Sequence, residues 1–173
     1  MWFSLYLILL QLFETILTVM EQTTRNSLTI KASPEEVYQA FTSAKAMETW
    51  QAPEGMTARV HRFDFIVGGG YEMSLFYPDS EKKTQGKTQG NEDKYSARFT
   101  EIVPNEKIVQ VIQFETNDPD LMGEMIMEVT LKPVDQGTEV TYHFRNIPKG
   151  IKPADNEEGT ISTLQKLARY VKG

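Results

Sequence analysis

The chain has 173 residues, 40% hydrophobic and 24% charged, a composition that suits one globular domain with a single core. Its formal charge of −6 argues against a nucleic-acid partner, because proteins that grip phosphate backbones concentrate Lys and Arg on one face. It contains no cysteine, which excludes disulfides, thiolate nucleophiles and Cys-ligated metals; nothing requires an oxidising compartment, and a cytoplasmic location is expected.

Trp2 to Phe13 is nearly continuous apolar sequence, broken by Ser4 and Gln11 and followed by Glu14. A secretory signal carries Lys or Arg before its apolar run and a small-x-small cleavage site after it. Here the first basic residue is Arg25, and no such site follows. As a membrane span the run is short, and Glu14 would cost on the order of 2–3 kcal/mol near the bilayer centre. Residues 1–19 are therefore read as an apolar extension ahead of an alternative start at Met20, and residues 20–173 as the folded domain. A membrane role is not expected, whereas an apolar N-terminus can promote association, so a homodimer is an expected assembly.

Ser27 to Ile30 alternates as a strand and runs directly into a helix start. Ser33 is a good N-cap, Pro34 suits the first helical position, and Glu36 completes a capping box. Val37, Ala40 and Phe41 give that helix an apolar face, and Ser43 caps a second short helix containing Ala44, Met47 and Trp50. After Pro53 and Gly55, Met56 to Val67 reads as a long strand ending in Gly68-Gly69-Gly70. A phosphate-cradling loop would open a helix, but Tyr71 to Leu75 alternates as a strand, so the glycines mark a hairpin or bulge.

Asp79 to Asp93 is polar, and its basic residues Lys82, Lys83 and Lys87 read as a solvated hairpin tip. Strands then follow at Tyr95–Val103, Lys107–Glu115, Glu124–Pro133 and Thr138–Arg145, with short turns that suit antiparallel neighbours. Beyond Pro153, Asp155 is expected to cap a terminal helix, with Ile161, Leu164, Leu167, Ala168 and Val171 as its buried stripe. Gly159 near its start suggests a close approach to the sheet. This order predicts an α+β domain in which a curved antiparallel sheet of about seven strands grips one long C-terminal helix.

Alternate residues of a strand share a face, so the side turned towards the helix can be written down. It comprises Phe63, Phe65 and Val67; Tyr71, Met73 and Leu75; Tyr95, Ala97 and Phe99; Ile108, Ile112 and Phe114; Met125, Met127 and Val129; and Val140, Tyr142 and Phe144. This aromatic, Met-rich lining suits an apolar or aromatic ligand. The alternative is that the same residues fill the core completely. His61 and His143 alternate away from that face without a metal-ligand spacing, Ser74 lies on the polar phase of its strand without a nucleophile elbow, and no catalytic residue, metal site or cofactor is assigned. Asp64 and Glu72 could meet across the glycine hairpin and act as a base if burial raised their pKa.

The segments Ile30–Phe41 with Trp50, Phe63–Gly69, Phe99–Ile108 and Gly137–Thr141 together resemble the activator-of-heat-shock-ATPase-homologue-like family of the START and birch-pollen-allergen superfamily. The resemblance covers about residues 24–172 and implies the helix-grip fold. Gln51 and Thr160 stand where such proteins often carry aromatic residues that face the cavity or its mouth. The expected ligand-binding set is Trp50 at the rim, Phe63, Phe65, Tyr71, Met73, Leu75, Tyr95, Phe99, Phe114, Met125, Met127, Tyr142, Phe144, Thr160 and Leu164. The leading expectation is non-enzymatic binding of a small apolar or aromatic molecule. The family name also implies a molecular chaperone as partner, and the superfamily a cyclase- or hydrolase-type enzyme using Asp64 or Glu72.

Overall fold

The computed structural model describes residues 21–78, 86–88 and 90–173. The apolar extension, Lys82 and Lys83 lie outside the described residues. Strand β1 (Thr24–Ile30) is followed by helices α1 (Pro34–Gln39) and α2 (Ala44–Trp50), strands β2 (Thr57–Asp64), β3 (Gly70–Phe76), β4 (Glu92–Val103), β5 (Lys107–Phe114), β6 (Met125–Val134) and β7 (Gly137–Arg145), and helix α3 (Pro153–Lys172). The helix-grip architecture expected from the order of elements is present.

The strands form one sheet in the order β1-β7-β6-β5-β4-β3-β2, antiparallel throughout. Hairpins join β2 through β7 in sequence, while β1 pairs with β7 from Thr24↔Phe144 to Ile30↔Thr138. The two short helices therefore carry the chain from one edge of the sheet to the other. On the way α1 packs on β6 and β7, and α2 on β2. Bulges at Val60/Arg62 in β2 and Phe99/Glu101 in β4 bend the strands, because an extra residue on one strand increases the local twist.

Both short helices begin as their sequences require. Ser33 accepts from the Glu36 backbone N–H at 3.2 Å, and the Glu36 carboxylate accepts from the Ser33 N–H at 2.7 Å, closing the capping box. Ser43 accepts from the Ala46 N–H at 3.2 Å. The terminal helix differs: it starts at Pro153 behind Lys152, which makes no side-chain cap, so Asp155 lies inside its first turn, where its charge complements the helix dipole.

Three further expectations are corrected. Strand β2 stops at Asp64, where Ile66 N–H bonds back to the Asp64 carbonyl and the chain turns, leaving Val67 59% exposed and off the concave face. Of the stripe expected on α3, Leu164 and Leu167 are buried and Ala168 and Val171 pack against the core, joined by Thr160 and Thr163, whereas Ile161 is 47% exposed. A methyl group on Gly159 would find only Pro53 Cγ at 3.8 Å, so no close approach demands a glycine there. At Gly70 a methyl would meet the Ala97 carbonyl oxygen at 2.0 Å; this glycine is what lets β3 lie against β4 beside the turn.

Candidate functional site

The concave face of the sheet is divided along the strands. At the end nearest the glycine turn it is solid. Phe65 packs edge-on against Phe99 with ring centres 4.9 Å apart and against Tyr38 of α1 at 5.8 Å, and Phe63 stacks beside Phe65 and Tyr71 at 6.1 and 6.4 Å. Trp50 closes this region from α2: it is fully buried, stands edge-on to Phe41 at 4.8 Å, and donates its Nε1–H to the Ala40 carbonyl at 2.9 Å. Edge-to-face pairs of this kind add roughly 1 kcal/mol each to the burial of their area.

At the other end a cavity of about 640 Å³ remains between sheet and helix, within the usual range for small-molecule sites. Its floor is Leu75, Tyr95, Ile112, Phe114, Met125, Met127, Tyr142 and Phe144, and its roof includes Thr160 and Thr163 of α3. Gln51, Pro53 and Met56 form one side, and the exposed Glu54, Asp155 and Glu158 mark the mouth. Of the residues expected on the ligand face, Leu75, Tyr95, Phe114, Met125, Met127, Tyr142, Phe144 and Thr160 come together here. Trp50, Phe63, Phe65, Tyr71, Met73, Phe99 and Leu164 do not line the cavity: Trp50, Tyr71, Met73, Phe99 and Leu164 are buried in the packed core, and Phe63 and Phe65 pack against it. Trp50 is thus a core residue, and its neighbour Gln51 stands on the wall instead.

A polar group that alternation alone left unread sits in the same cavity. Asp93 pairs across the sheet with Leu75 because β4 begins at Glu92, earlier than expected, and this register turns its carboxylate to the concave side. The carboxylate is almost sealed from water, with 3% of its side chain exposed, and it accepts from the Lys87 backbone N–H, the Lys87 ammonium and, at 3.2 Å, the Tyr77 hydroxyl. Lys87 is therefore a member of the cavity wall and not a solvated loop tip. Its Nζ lies 5.8 Å from the centres of both the Tyr77 and Phe114 rings, within cation–π range. Burial opposes the charge on Lys87, but attraction and hydrogen bonding to Asp93 outweigh it and hold the ammonium above its ordinary pKa. Burial likewise raises the Tyr77 phenol.

The three tyrosines beneath the helix have different partners. Tyr71 OH accepts from Gln110 Nε2 at 3.0 Å, Tyr95 OH contacts Met73 Sδ at 3.1 Å, and the buried Tyr142 OH has no partner. Burial pushes Tyr95 up to about 12 and raises Tyr71 and Tyr142 well above the ordinary phenol range. Gln110 shares the concave face with Ile108, Ile112 and Phe114 by the alternation of β5, a signal that strand parity alone carries.

The candidate proton carriers lie elsewhere. Glu72 pairs with Arg62 at 3.5 Å and Asp64 is exposed, and neither lines the cavity. On the convex side Ser74 is fully buried, bridging His61 Nε2 at 2.8 Å and the Glu92 carboxylate, to which it donates. With its proton committed to Glu92, Ser74 is a strut between strands. His143 is half-buried off the concave face. Among the described residues no helix is long and apolar enough to cross a membrane.

A bent antiparallel sheet closed by one long helix over an apolar cavity defines a helix-grip domain of the START and birch-pollen-allergen type. Within that class, residues 31–172 match the family described as "Activator of Hsp90 ATPase homolog 1-like protein", and the chain belongs to it. A crystal structure of a protein from Chromobacterium violaceum is similar at 32% identity and TM-score 0.76, covering 87% of this chain and 97% of that one. A Rhizobium loti protein is 29% identical with TM-score 0.67 over 87% and 97% of the two chains. The AHSA1-like protein from Aeromonas hydrophila, 18% identical with TM-score 0.66 over 87% and 92%, shares the fold. No protein with a curated description matches the sequence.

Proposed function

We propose that this domain binds a small apolar or aromatic molecule between its sheet and terminal helix, as a carrier or sensor and without chemical turnover. The observation that carries this reading is the cavity of about 640 Å³ itself, floored by five aromatic and thioether side chains on neighbouring strands: Tyr95, Phe114, Met125, Met127 and Tyr142. Aromatic faces offer stacking, thioethers adapt to irregular shapes, and burying apolar area returns roughly 25 cal/mol per Å². The carboxylates that could have served as proton carriers, Asp64 and Glu72, stand away from this space.

Native mass spectrometry of the freshly purified protein tests the proposal by revealing a retained small molecule, and a thermal-shift screen of aromatic compounds extends it. A compound at a hundred times its dissociation constant adds about 2.7 kcal/mol of stability. A protein that emerges empty and is not stabilised by any aromatic or alkyl compound counts against it. The family description supports a chaperone partner as a second reading. Stimulation of a chaperone ATPase by the purified chain decides that question.

A further inference from the structure

The polar cluster in the cavity wall leaves one donor over. Asp93 accepts three hydrogen bonds, from the Lys87 backbone N–H, the Lys87 ammonium and the Tyr77 hydroxyl. The Tyr77 hydroxyl, which donates to Asp93 at 3.2 Å, itself accepts from the ammonium at 3.2 Å. An ammonium carries three protons, and among the described residues two of them are taken, by Asp93 and Tyr77. The ring centres of Tyr77 and Phe114, 5.8 Å away, attract the charge but stand beyond hydrogen-bond reach. A buried ion pair stabilises a fold no better than apolar side chains of the same size, so this one, set into an aromatic and thioether lining, points to a role beyond holding the sheet together.

Strand register sets what the ammonium stands beside. Asp93 pairs with Leu75 across β3 and β4, and Tyr95, the next residue on the same face, pairs with Phe114 across β4 and β5. The Tyr95 and Phe114 rings, with centres 6.1 Å apart, continue the cavity floor from Lys87. Lys87 also lines the cavity and keeps 30% of its side chain exposed, so the cation is not sealed behind its partners. Attraction to Asp93 keeps it charged at neutral pH.

Charge and polarity select the ligand. The cluster offers a proton, so the ligand must accept. An ionised carboxylate is disfavoured, because Asp93 already balances Lys87 and Glu54, Asp155 and Glu158 stand at the mouth. A ligand hydroxyl would bring a proton of its own to an Asp93 that is almost sealed and already accepts three, whereas a carbonyl brings none. Building on the binding role proposed above, we infer that the cavity takes a neutral aromatic carbonyl compound, whose oxygen accepts the third proton of the Lys87 ammonium and whose rings lie over Phe114 and Tyr95.

Isothermal titration of the full chain with 2-acetonaphthone, 2-isopropenylnaphthalene and 2-naphthoate tests this, because the second compound keeps the shape of the ketone with a CH2 in place of its oxygen and the third adds a charge. The expected result is about tenfold tighter binding of the ketone than of either analogue, the worth of one hydrogen bond to a charged donor. The infrared carbonyl band of the bound ketone should lie below its position in a hydrocarbon solvent. In Lys87→Met/Asp93→Asn, which removes both charges together and is checked for folding by thermal melts, the preference should fall towards one and the band should move back. Equal binding of ketone and hydrocarbon, tighter binding of 2-naphthoate, or a preference that survives the double substitution overturns the carbonyl site while leaving the cavity reading intact. So does a band at the hydrocarbon-solvent position in the wild-type complex, a readout that needs no variant to fold. Absence of binding by all three compounds also overturns it, and the mass spectrometry of the purified protein then judges the cavity reading separately.

Discussion

The Lys87 ammonium meets a carboxylate, Asp93, that is almost wholly withdrawn from water, and the pair closes one end of the cavity by tying residues 86–88 to strand β4. Because Lys87 retains 30% of its side-chain exposure, water still solvates the cation in part, while the anion depends on its protein partners. Lys87→Met should therefore cost about 2 kcal/mol in urea unfolding, chiefly by stranding the Asp93 charge. The double variant Lys87→Met/Asp93→Asn should recover at least half of that loss. Equal stabilities for wild type and Lys87→Met would show that the pair holds nothing.

Alkaline pH should unfold the protein through its phenols. Tyr71, Tyr95 and Tyr142 have folded pKa values raised by burial, Tyr95 to about 12, against an ordinary value of 10.0. A raised folded pKa favours the protonated form, so the stability is complete below about pH 10 and is lost as the pH climbs towards the folded values, by on the order of 1 kcal/mol per pH unit for each phenol. Lys87, also raised, weakens over a neighbouring range above its ordinary value of 10.5. Thermal melts between pH 8 and 11.5, followed with phenolate absorbance, should show the buried phenols ionising together with unfolding. Free titration of all seven tyrosines near pH 10 in a folded protein would contradict their burial.

Two neighbouring tyrosines should respond oppositely to the loss of a hydroxyl. Tyr71→Phe leaves Gln110 Nε2 with only the weak acceptor Met127 Sδ at 3.7 Å and should destabilise by about 1–2 kcal/mol. Tyr142→Phe removes an oxygen that has no partner and should be neutral or stabilising by up to about 1 kcal/mol. Denaturant midpoints of the two variants against wild type give the comparison directly.

Two glycines should also diverge. Gly159→Ala adds a methyl in ordinary contact with Pro53 and a better helix former within α3, for a gain of about 0.5–1 kcal/mol. Gly70→Ala drives a carbon into the Ala97 carbonyl and should cost about 3 kcal/mol or more by prising β3 from β4.

Some of this was legible in the chain because it is local. Ser33 and Glu36 make their capping box within four residues, Ser43 caps the next helix, and the hairpins from Tyr95 to Arg145 follow from alternation and short turns. The start of α3 is two residues earlier than Asp155 suggests, since a proline at the first helical position can begin a helix without a side-chain cap. Lys87 and Asp93 were lost together inside a polar stretch, because a buried ion pair and a solvated loop have the same composition.

The sequence by itself determined the fold and the face: strand periodicity states which side chains look towards the terminal helix, since that depends only on residue parity. It does not determine the level along each strand at which the core gives way to open space. That was decided by where α1 and α2 deliver Tyr38, Phe41 and Trp50 and where the Gly70 turn lets Phe63 and Phe65 fold inwards. These bulky rings fill one end of the concave face and leave the other, around Tyr95, Met125 and Tyr142, to the cavity. Packing of this kind is a sum over residues far apart in the chain, so only the assembled tertiary structure carries it.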